Sequence, residues 1–241
     1  MSAFRFQNPV FVALDTPDLS RAREIATLVR PYVGGLKIGL EFITALGPDG
    51  VRAVVALGLP VFADVKFHDI PNTVAGAARA IASLGVNLFN VHVSGGEAML
   101  RATVDTVASA NPRPRVLGVT VLTSLNDADL VAVGQTGQAR AQVLRLANLA
   151  KATGLDGVVC SPQEIREIRQ ACGPEFLIVT PGVRPAGVDL KDQRRVMTPS
   201  EAVSAGADLL VIGRPITEAK DPAAAAKAIA GEIEKLNKSA A

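Results

Sequence analysis

The segment VFADVKFHDIPNT, which spans residues 61–73, contains the unit that decides the fold. It begins with Val61–Val65, a run rich in β-branched and aromatic residues that is typical of a buried strand. A polar turn follows, and helical spacing then extends over Thr73–Leu84. A strand, a turn and a helix in this order predict one βα unit of a parallel sheet.

The same order of strand, turn and helix recurs along the chain. Strands are predicted at Val10–Leu14, Gly35–Ile38, Val61–Val65, Leu88–His92, Val116–Val121, Gly157–Val159, Leu177–Thr180 and Leu209–Ile212. Helices are predicted at Leu19–Arg30, Glu41–Leu57, Thr73–Leu84, Ala98–Ala110, Ala139–Thr153, Pro162–Ala171, Ser200–Ala205 and Thr217–Leu236. Eight such units in 241 residues favour an α/β fold of the (β/α)8 TIM barrel type, formed by one domain over residues 1–241.

A doubly wound open sheet is the alternative architecture. Sheets of that kind that bind dinucleotides carry a GxGxxG turn after the first strand. Here Asp15-Thr16-Pro17-Asp18 stands at that point. The barrel is therefore the favoured prediction.

Composition argues against several classes of protein. With a net charge of +2, no basic surface for nucleic acid or membrane lipid is expected. Cys160 and Cys172 form no CxxC pair, and His68 and His92 are interpreted as structural rather than as metal ligands. No apolar run approaches the roughly 18 residues that span a bilayer, and no signal peptide is recognisable. We expect a soluble, cytoplasmic protein.

Charged residues lie towards the carboxyl ends of several predicted strands. They are Asp15, Lys37, Asp64, Lys66 and Arg214. Barrel strands are normally apolar because both of their faces are buried, and barrel enzymes build their active sites at this end. Buried ion pairs add little net stability. Opposite charges that converge on one barrel mouth therefore indicate a functional site.

Alternation along the third predicted strand orients two of these charges. Asp64 and Lys66 share with Phe62 the face that points into the barrel. Lys37, one strand away, can reach Asp64 or Asp15, so we expect an alternating Lys–Asp–Lys–Asp array. Such an array favours the protonated form of both lysines. This suits a lysine that acts as a general acid and argues against a Schiff-base lysine.

Two features near the end of the chain are typical of phosphate binding. Gly213-Arg214-Pro215 is predicted to open the last helix, where free N–H groups attract anions and Arg214 adds a charge-assisted contact. Barrels often bind phosphate at the loops after strands 7 and 8. Residues 182–198 form a long loop, which we predict to be a lid that closes Gln193 over the phosphate.

Residues 64–73 resemble the D-x-K-x-x-D-I-P-N-T signature of the orotidine 5′-phosphate decarboxylase family in its bacterial form. Further segments resemble that family in the same order along the chain: Leu14-Asp15, Leu36–Gly39, Val119–Ser124, Asp156–Ser161, Thr180–Pro185, Asp192–Arg195 and Val211–Pro215. A lone DxKxxD is shared with related phosphate-sugar barrels, whereas the full ordered set is highly specific. No residue departs from the family pattern at a functional position.

The resemblance implies a reaction without metal or organic cofactor. Orotidine 5′-phosphate would lose CO2 from C6 of its orotate ring and give uridine 5′-phosphate, in de novo pyrimidine biosynthesis. Lys66 would be the proton donor, and Asp64 would lie beside the departing carboxylate. Lys37 would tie the charged groups together and, like Asp15, would contact the ribose.

The resemblance also implies a homodimer with shared sites. Asp69, as a catalytic residue, and Thr73 would reach into the site of the partner chain, and Ile70 would also bind the substrate. Thr123 would hydrogen-bond the pyrimidine. The residues that would hold the phosphate end are Arg184, Gln193, Gly213 and Arg214.

Two other functions stay open. A related phosphate-sugar barrel, such as a metal-dependent decarboxylase or aldolase, would need a metal-ligating carboxylate near the ends of strands 1–3. It would also lack the pattern of Ile70–Thr73 and Gln193. A non-enzymatic barrel that binds a nucleotide would use the charge array for binding alone.

Overall fold

Eight parallel strands form the centre of the molecule. The structure, a computed structural model, describes residues 8–135, 137–185 and 197–239. The strands are β1 (Val10–Ala13), β2 (Gly35–Ile38), β3 (Val61–Phe67), β4 (Leu88–His92), β5 (Arg115–Val119), β6 (Gly157–Val159), β7 (Leu177–Pro181) and β8 (Leu209–Ile212). They pair in sequence order, and β8 pairs with β1 to close the barrel. The predicted (β/α)8 TIM barrel is confirmed, and the open sheet is wrong.

Helices follow the strands. They are α1 (Leu19–Val29), α2 (Leu40–Val55), α3 (Pro71–Ala82), α4 (Glu97–Val107), α5 (Asp127–Ala132), α6 (Ala139–Ala152), α7 (Ile165–Cys172), α8 (Pro199–Ala205), α9 (Arg214–Thr217) and α10 (Pro222–Ser239). Among the described residues, no helix has the length and apolar character that a membrane span requires.

The strands bury both faces, as a barrel requires. Their outer faces pack against the helices in a large apolar cluster, to which Val61, Ala63 and Val65 of β3 belong. A second, smaller cluster fills the barrel interior and contains Phe11, Phe62, Leu88, Leu117, Val179 and Leu209. Phe62 thus points inwards while its neighbours point outwards, so the predicted alternation of β3 is confirmed for this part of the strand.

The short helix α5 was not predicted. Its six residues are too few to show a helical period, but its start carries a local signal. The Asn126 side chain accepts hydrogen bonds from the backbone N–H groups of Ala128 and Asp129, and the Asp129 carboxylate accepts one from the N–H of Asn126. This is a reciprocal capping box. An Asn followed three residues later by an acidic residue was the available signal.

The end of the chain also differs from its prediction. One helix was expected over Thr217–Leu236, opened by Gly213-Arg214-Pro215. Instead, that turn opens the four-residue helix α9, and α10 begins separately at Pro222. Asp221 separates them, because its carboxylate accepts a hydrogen bond from the N–H of Ala224 and so starts a new helix.

Candidate active site

The first charged pair joins the ends of β1 and β2. Lys37 Nζ lies 2.5 Å from Oδ1 of Asp15. Lys37 is only 6% exposed, whereas the Asp15 side chain is about half exposed. A buried ammonium requires a partner, because an unpaired charge in the interior is strongly destabilising. The pair therefore fixes the position of the Lys37 ammonium in the barrel mouth.

Gly39 leaves the space that this pair occupies. A Cβ atom at Gly39 would lie 3.1 Å from Asp15 Oδ1 and 3.1 Å from Lys37 Nζ. Contacts of that length are tighter than ordinary van der Waals packing, so either side chain would have to shift. The sequence contained Gly39 in a family-like segment but gave no physical reason for it.

The second charged pair lies within β3. Lys66 Nζ is 2.5 Å from Oδ1 of Asp64, and both side chains are partly buried. Lys66 has φ of +49°, and in the described parts of the chain it is the one non-glycine residue with positive φ. A non-glycine residue in this left-handed region costs about 1–3 kcal/mol and is typical of functional sites. The strain marks Lys66 independently of any motif.

Lys37 pairs with Asp15, one of the two partners expected for it, and the expected Lys–Asp–Lys–Asp array is divided into two ion pairs. The structure contains two separate ion pairs, Lys37–Asp15 and Lys66–Asp64, and no ion pair between Lys37 and Asp64 is found in the described residues. The physical reason is the direction of each lysine. Lys37 turns towards β1, while Lys66 is held against the carboxylate of its own strand.

Asn90 of β4 is a polar residue that the sequence interpretation missed. It is fully buried, yet its Nδ2 donates to Asp64 Oδ1 at 2.7 Å and its Oδ1 accepts from the backbone N–H of Lys66 at 2.7 Å. An Asn among the apolar residues Leu88, Phe89 and Val91 of β4 was the available signal. It touches both members of the second charged pair.

Two histidines flank this pair at the ends of β3 and β4. The ring centroids of His68 and His92 are 5.5 Å apart. Burial lowers the pKa of His92, and the nearby charges of His68 and Lys66 lower it further, against an opposing effect of Asp64. His92 is therefore favoured as a neutral ring near neutral pH. No group of three residues suited to hold a metal ion occurs in the described part of the chain.

The loop after β3 lies apart from these pairs within one chain. Asp69, Ile70 and Thr73 are all exposed, and Ile70 is exposed by 67%. The Asp69 carboxylate accepts a hydrogen bond from its neighbouring Ile70 N–H at 2.6 Å. Among the described contacts none links Asp69 to Asp64 or Lys66. The structure of the single chain thus does not bring Asp69 into the charged cluster.

The residues predicted to hold the pyrimidine and the phosphate follow β5, β7 and β8. Thr123 is half-buried after β5, and Arg184 is buried after β7. Arg184 donates its backbone N–H to the carbonyl of Met197 at 3.0 Å, which brings the two described ends of the long loop together. Gln193 lies outside the described residues.

Gly213 and Arg214 are half-buried at the start of α9. Because α9 has only four residues, its dipole is smaller than that of the long helix predicted at this position. The Arg214 guanidinium therefore becomes the main cationic feature of this turn.

Comparison with known proteins gives a consistent result. The family model described as orotidine 5′-phosphate decarboxylase / HUMPS family matches residues 8–229. The orotidine 5′-phosphate decarboxylase of Moorella thermoacetica is 58% identical over 236 residues, covering 95% of this chain and 94% of that protein. That of Rhodospirillum rubrum is 52% identical over 233 residues, covering 94% of each.

A solved structure agrees with these sequence matches. The crystal structure of orotidine 5′-phosphate decarboxylase from Lactobacillus acidophilus has a TM-score of 0.82 and 38% identity to this chain. The likeness covers 94% of this chain and 99% of that one. A family match over most of the length, close relatives and a shared barrel agree, and the chain belongs to the orotidine 5′-phosphate decarboxylase / HUMPS family.

Proposed function

We propose that this chain decarboxylates orotidine 5′-phosphate to uridine 5′-phosphate and CO2, the reaction for which its relatives are named, in pyrimidine biosynthesis. The observation that carries the proposal is the Asp64–Lys66 pair at the carboxyl end of β3, with the ammonium 2.5 Å from the carboxylate. The pair lies in the barrel mouth, where enzymes of this fold perform their chemistry.

The difficulty of the reaction is a carbanion. When the bond between C6 and the carboxylate breaks, CO2 leaves and the electron pair stays on C6, where the ring gives it little resonance stabilisation. A preorganised cation stabilises that charge more in the transition state than in the substrate. In the proposal, the Lys66 ammonium faces C6, stabilises the electron pair and then donates its proton to it. Water restores the proton to Lys66.

Asp64 and the second pair have supporting roles in this proposal. Asp64 lies beside the departing carboxylate and holds the Lys66 ammonium in place. Its Oδ1 accepts charge-assisted hydrogen bonds from Lys66 Nζ at 2.5 Å and from Asn90 Nδ2 at 2.7 Å. Lys37 and Asp15 bind the ribose hydroxyl groups. The burial of Lys37 supports this role, because an ammonium fixed by an ion pair loses little freedom when the substrate binds.

The proposed enzyme is a homodimer with shared sites. Asp69 and Thr73, together with Ile70, enter the site of the partner chain. Their exposure in the single chain supports this arrangement, because a contact with the partner chain would bury the large apolar side chain of Ile70, which is 67% exposed. Thr123 binds the pyrimidine, and the residues that hold the phosphate are Arg184, Gln193, Gly213 and Arg214. One domain over residues 1–241 and a cytoplasmic location remain predictions.

The decisive experiment follows the substrate itself. Purified protein, treated with a chelator, is incubated with orotidine 5′-phosphate, and the loss of orotate absorbance is recorded. We expect turnover that EDTA leaves unchanged. The absence of turnover by folded protein would contradict the proposal, and turnover abolished by EDTA would favour the metal-dependent alternative.

Removing the Arg214 guanidinium should impair turnover of orotidine 5′-phosphate far more than turnover of orotidine, which lacks the phosphate. We expect Arg214→Ala to lower kcat/KM for orotidine 5′-phosphate by about 10²-fold, within the range for truncating a charged contact. Turnover of orotidine, which lacks the phosphate, should change by less than about twofold. The ratio of the two kcat/KM values is the measurement.

Arg52→Ala provides the control for this variant. Arg52 is an exposed arginine in the last turn of α2, and its substitution should leave both substrates unaffected. Equal effects of Arg214→Ala on orotidine and on its phosphate would contradict a phosphate role.

A further inference from the structure

The pairing of β3, which carries Asp64 and Lys66, with β4 is irregular in its register. Below the irregularity Ala63 pairs with Phe89, and above it Phe67 pairs with Val91. Three residues of β3 therefore lie opposite the single residue Asn90 of β4. A bulge of this kind interrupts the ladder of backbone hydrogen bonds and turns side chains in new directions.

The Asn90 side chain takes the place of the interrupted ladder. Its Oδ1 accepts from the backbone N–H of Lys66 at 2.7 Å, and its Nδ2 donates to Asp64 Oδ1 at 2.7 Å. A backbone N–H can only donate and a carboxylate can only accept. The side chain between them must therefore accept at one end and donate at the other, as a primary amide does.

The two hydrogen bonds of Asn90 act on different parts of the Asp64–Lys66 pair. One holds the backbone of Lys66 in its left-handed conformation, with φ of +49°. The other holds the carboxylate oxygen that also accepts from the Lys66 ammonium. Asn90 is fully buried, which limits the access of water to both bonds.

We propose that Asn90 is a positioning residue for decarboxylation, and this inference rests on the proposed function. Asn90 fixes the backbone from which Lys66 extends and the carboxylate that receives its ammonium. It thereby sets the place of the proton donor relative to C6 of the substrate. Asn90 acts through Lys66 and Asp64 and needs no contact with the substrate.

Two substitutions test the proposal. Asn90→Ala removes both bonds, whereas Asn90→Asp keeps an acceptor for the Lys66 N–H but places a second carboxylate against Asp64. We expect either change to lower kcat by about 10²-fold, the effect of moving a reacting group by about 1 Å. KM should change by less than about threefold, because the residues assigned to ribose and phosphate lie on other strands.

Asn87, which is exposed, supplies a control with the same type of backbone contact. Its side chain also accepts a hydrogen bond from a β3 backbone N–H, that of Val61 at 2.8 Å, but at the opposite end of the strand. Asn87→Ala and Asn90→Ala should both lower the melting temperature, but Asn87→Ala should leave kcat at the native value. A kcat loss of the same size in Asn87→Ala would overturn the proposal, and so would a change confined to KM in the Asn90 variants.

Amide hydrogen exchange gives a second measurement that does not depend on turnover. At the Lys66 N–H of folded Asn90→Ala, we expect exchange to be faster by at least about tenfold, while Asn87→Ala leaves it unchanged. Unchanged exchange in Asn90→Ala would overturn the assigned contact. If the native protein left orotidine 5′-phosphate intact, the proposed function and the positioning role would both fail, and slow native exchange would still show the contact itself.

Discussion

Replacing Lys66 with alanine should lower kcat for orotidine 5′-phosphate by about 10⁴-fold or more. The substitution removes a general acid, worth roughly 10²–10⁴-fold, and a preorganised charge, worth roughly a further 10²–10³-fold. The fold should persist, because Asp64 retains its hydrogen bond from Asn90 after the ammonium is lost. Single-turnover measurement of orotate loss is sensitive enough to quantify the residual rate.

Two further variants make this experiment specific. Lys66→Arg keeps a positive charge, but its guanidinium does not release a proton near neutral pH. Its kcat should stay about 10²-fold or more below the native value. Lys227→Ala, at an exposed position of α10, should keep native activity. A Lys66→Ala enzyme that retained more than about a hundredth of native kcat would contradict the role of Lys66.

Mixing two inactive variants should restore activity if sites are shared between chains. In the proposed homodimer, Lys66→Ala inactivates the site of its own chain, and Asp69→Ala inactivates the site of the partner. A dimer with one chain of each kind then has one site with both defects and one intact site. Random association makes about half of the dimers hybrid, so about a quarter of native activity should return.

The control for the mixing experiment uses two residues of the same barrel mouth. Asp64 and Lys66 lie in one chain, 2.5 Å apart. Mixing Asp64→Ala with Lys66→Ala chains therefore leaves one defect in each site and should restore nothing. The chains are unfolded, mixed and refolded, and activity is measured against each parent refolded alone. No recovery with the Asp69→Ala chain would contradict a contribution across the interface.

The barrel could be predicted because its signals are local. The bounds of β2, β4, β6 and β8 match their predictions, since each is a short, largely apolar run followed by a turn. Alternation also assigned Phe62 to the interior and its neighbours to the helices. The helix α5 was missed because six residues carry no period, although Asn126 caps it.

The details of the site could be predicted only in part. Alternation indicated that Asp64 and Lys66 would be neighbours, and the structure pairs them. The bulge and the left-handed Lys66 depend on the register against β4, which is a contact between distant parts of the chain. The direction of Lys37 towards Asp15 likewise depends on how β1 and β2 align. Periodicity within one strand contains no information about either.

The bulge opposite Asn90 limits how this chemistry can be transferred to other scaffolds. Grafting the Asp-x-Lys segment onto a regular strand of a designed barrel would supply both side chains but not the conformation of Lys66. A designer would have to copy two adjacent strands together, with the additional residues on one and the buried amide on the other. The smallest transferable unit is thus a pair of strands, and a sequence motif taken from one of them is incomplete.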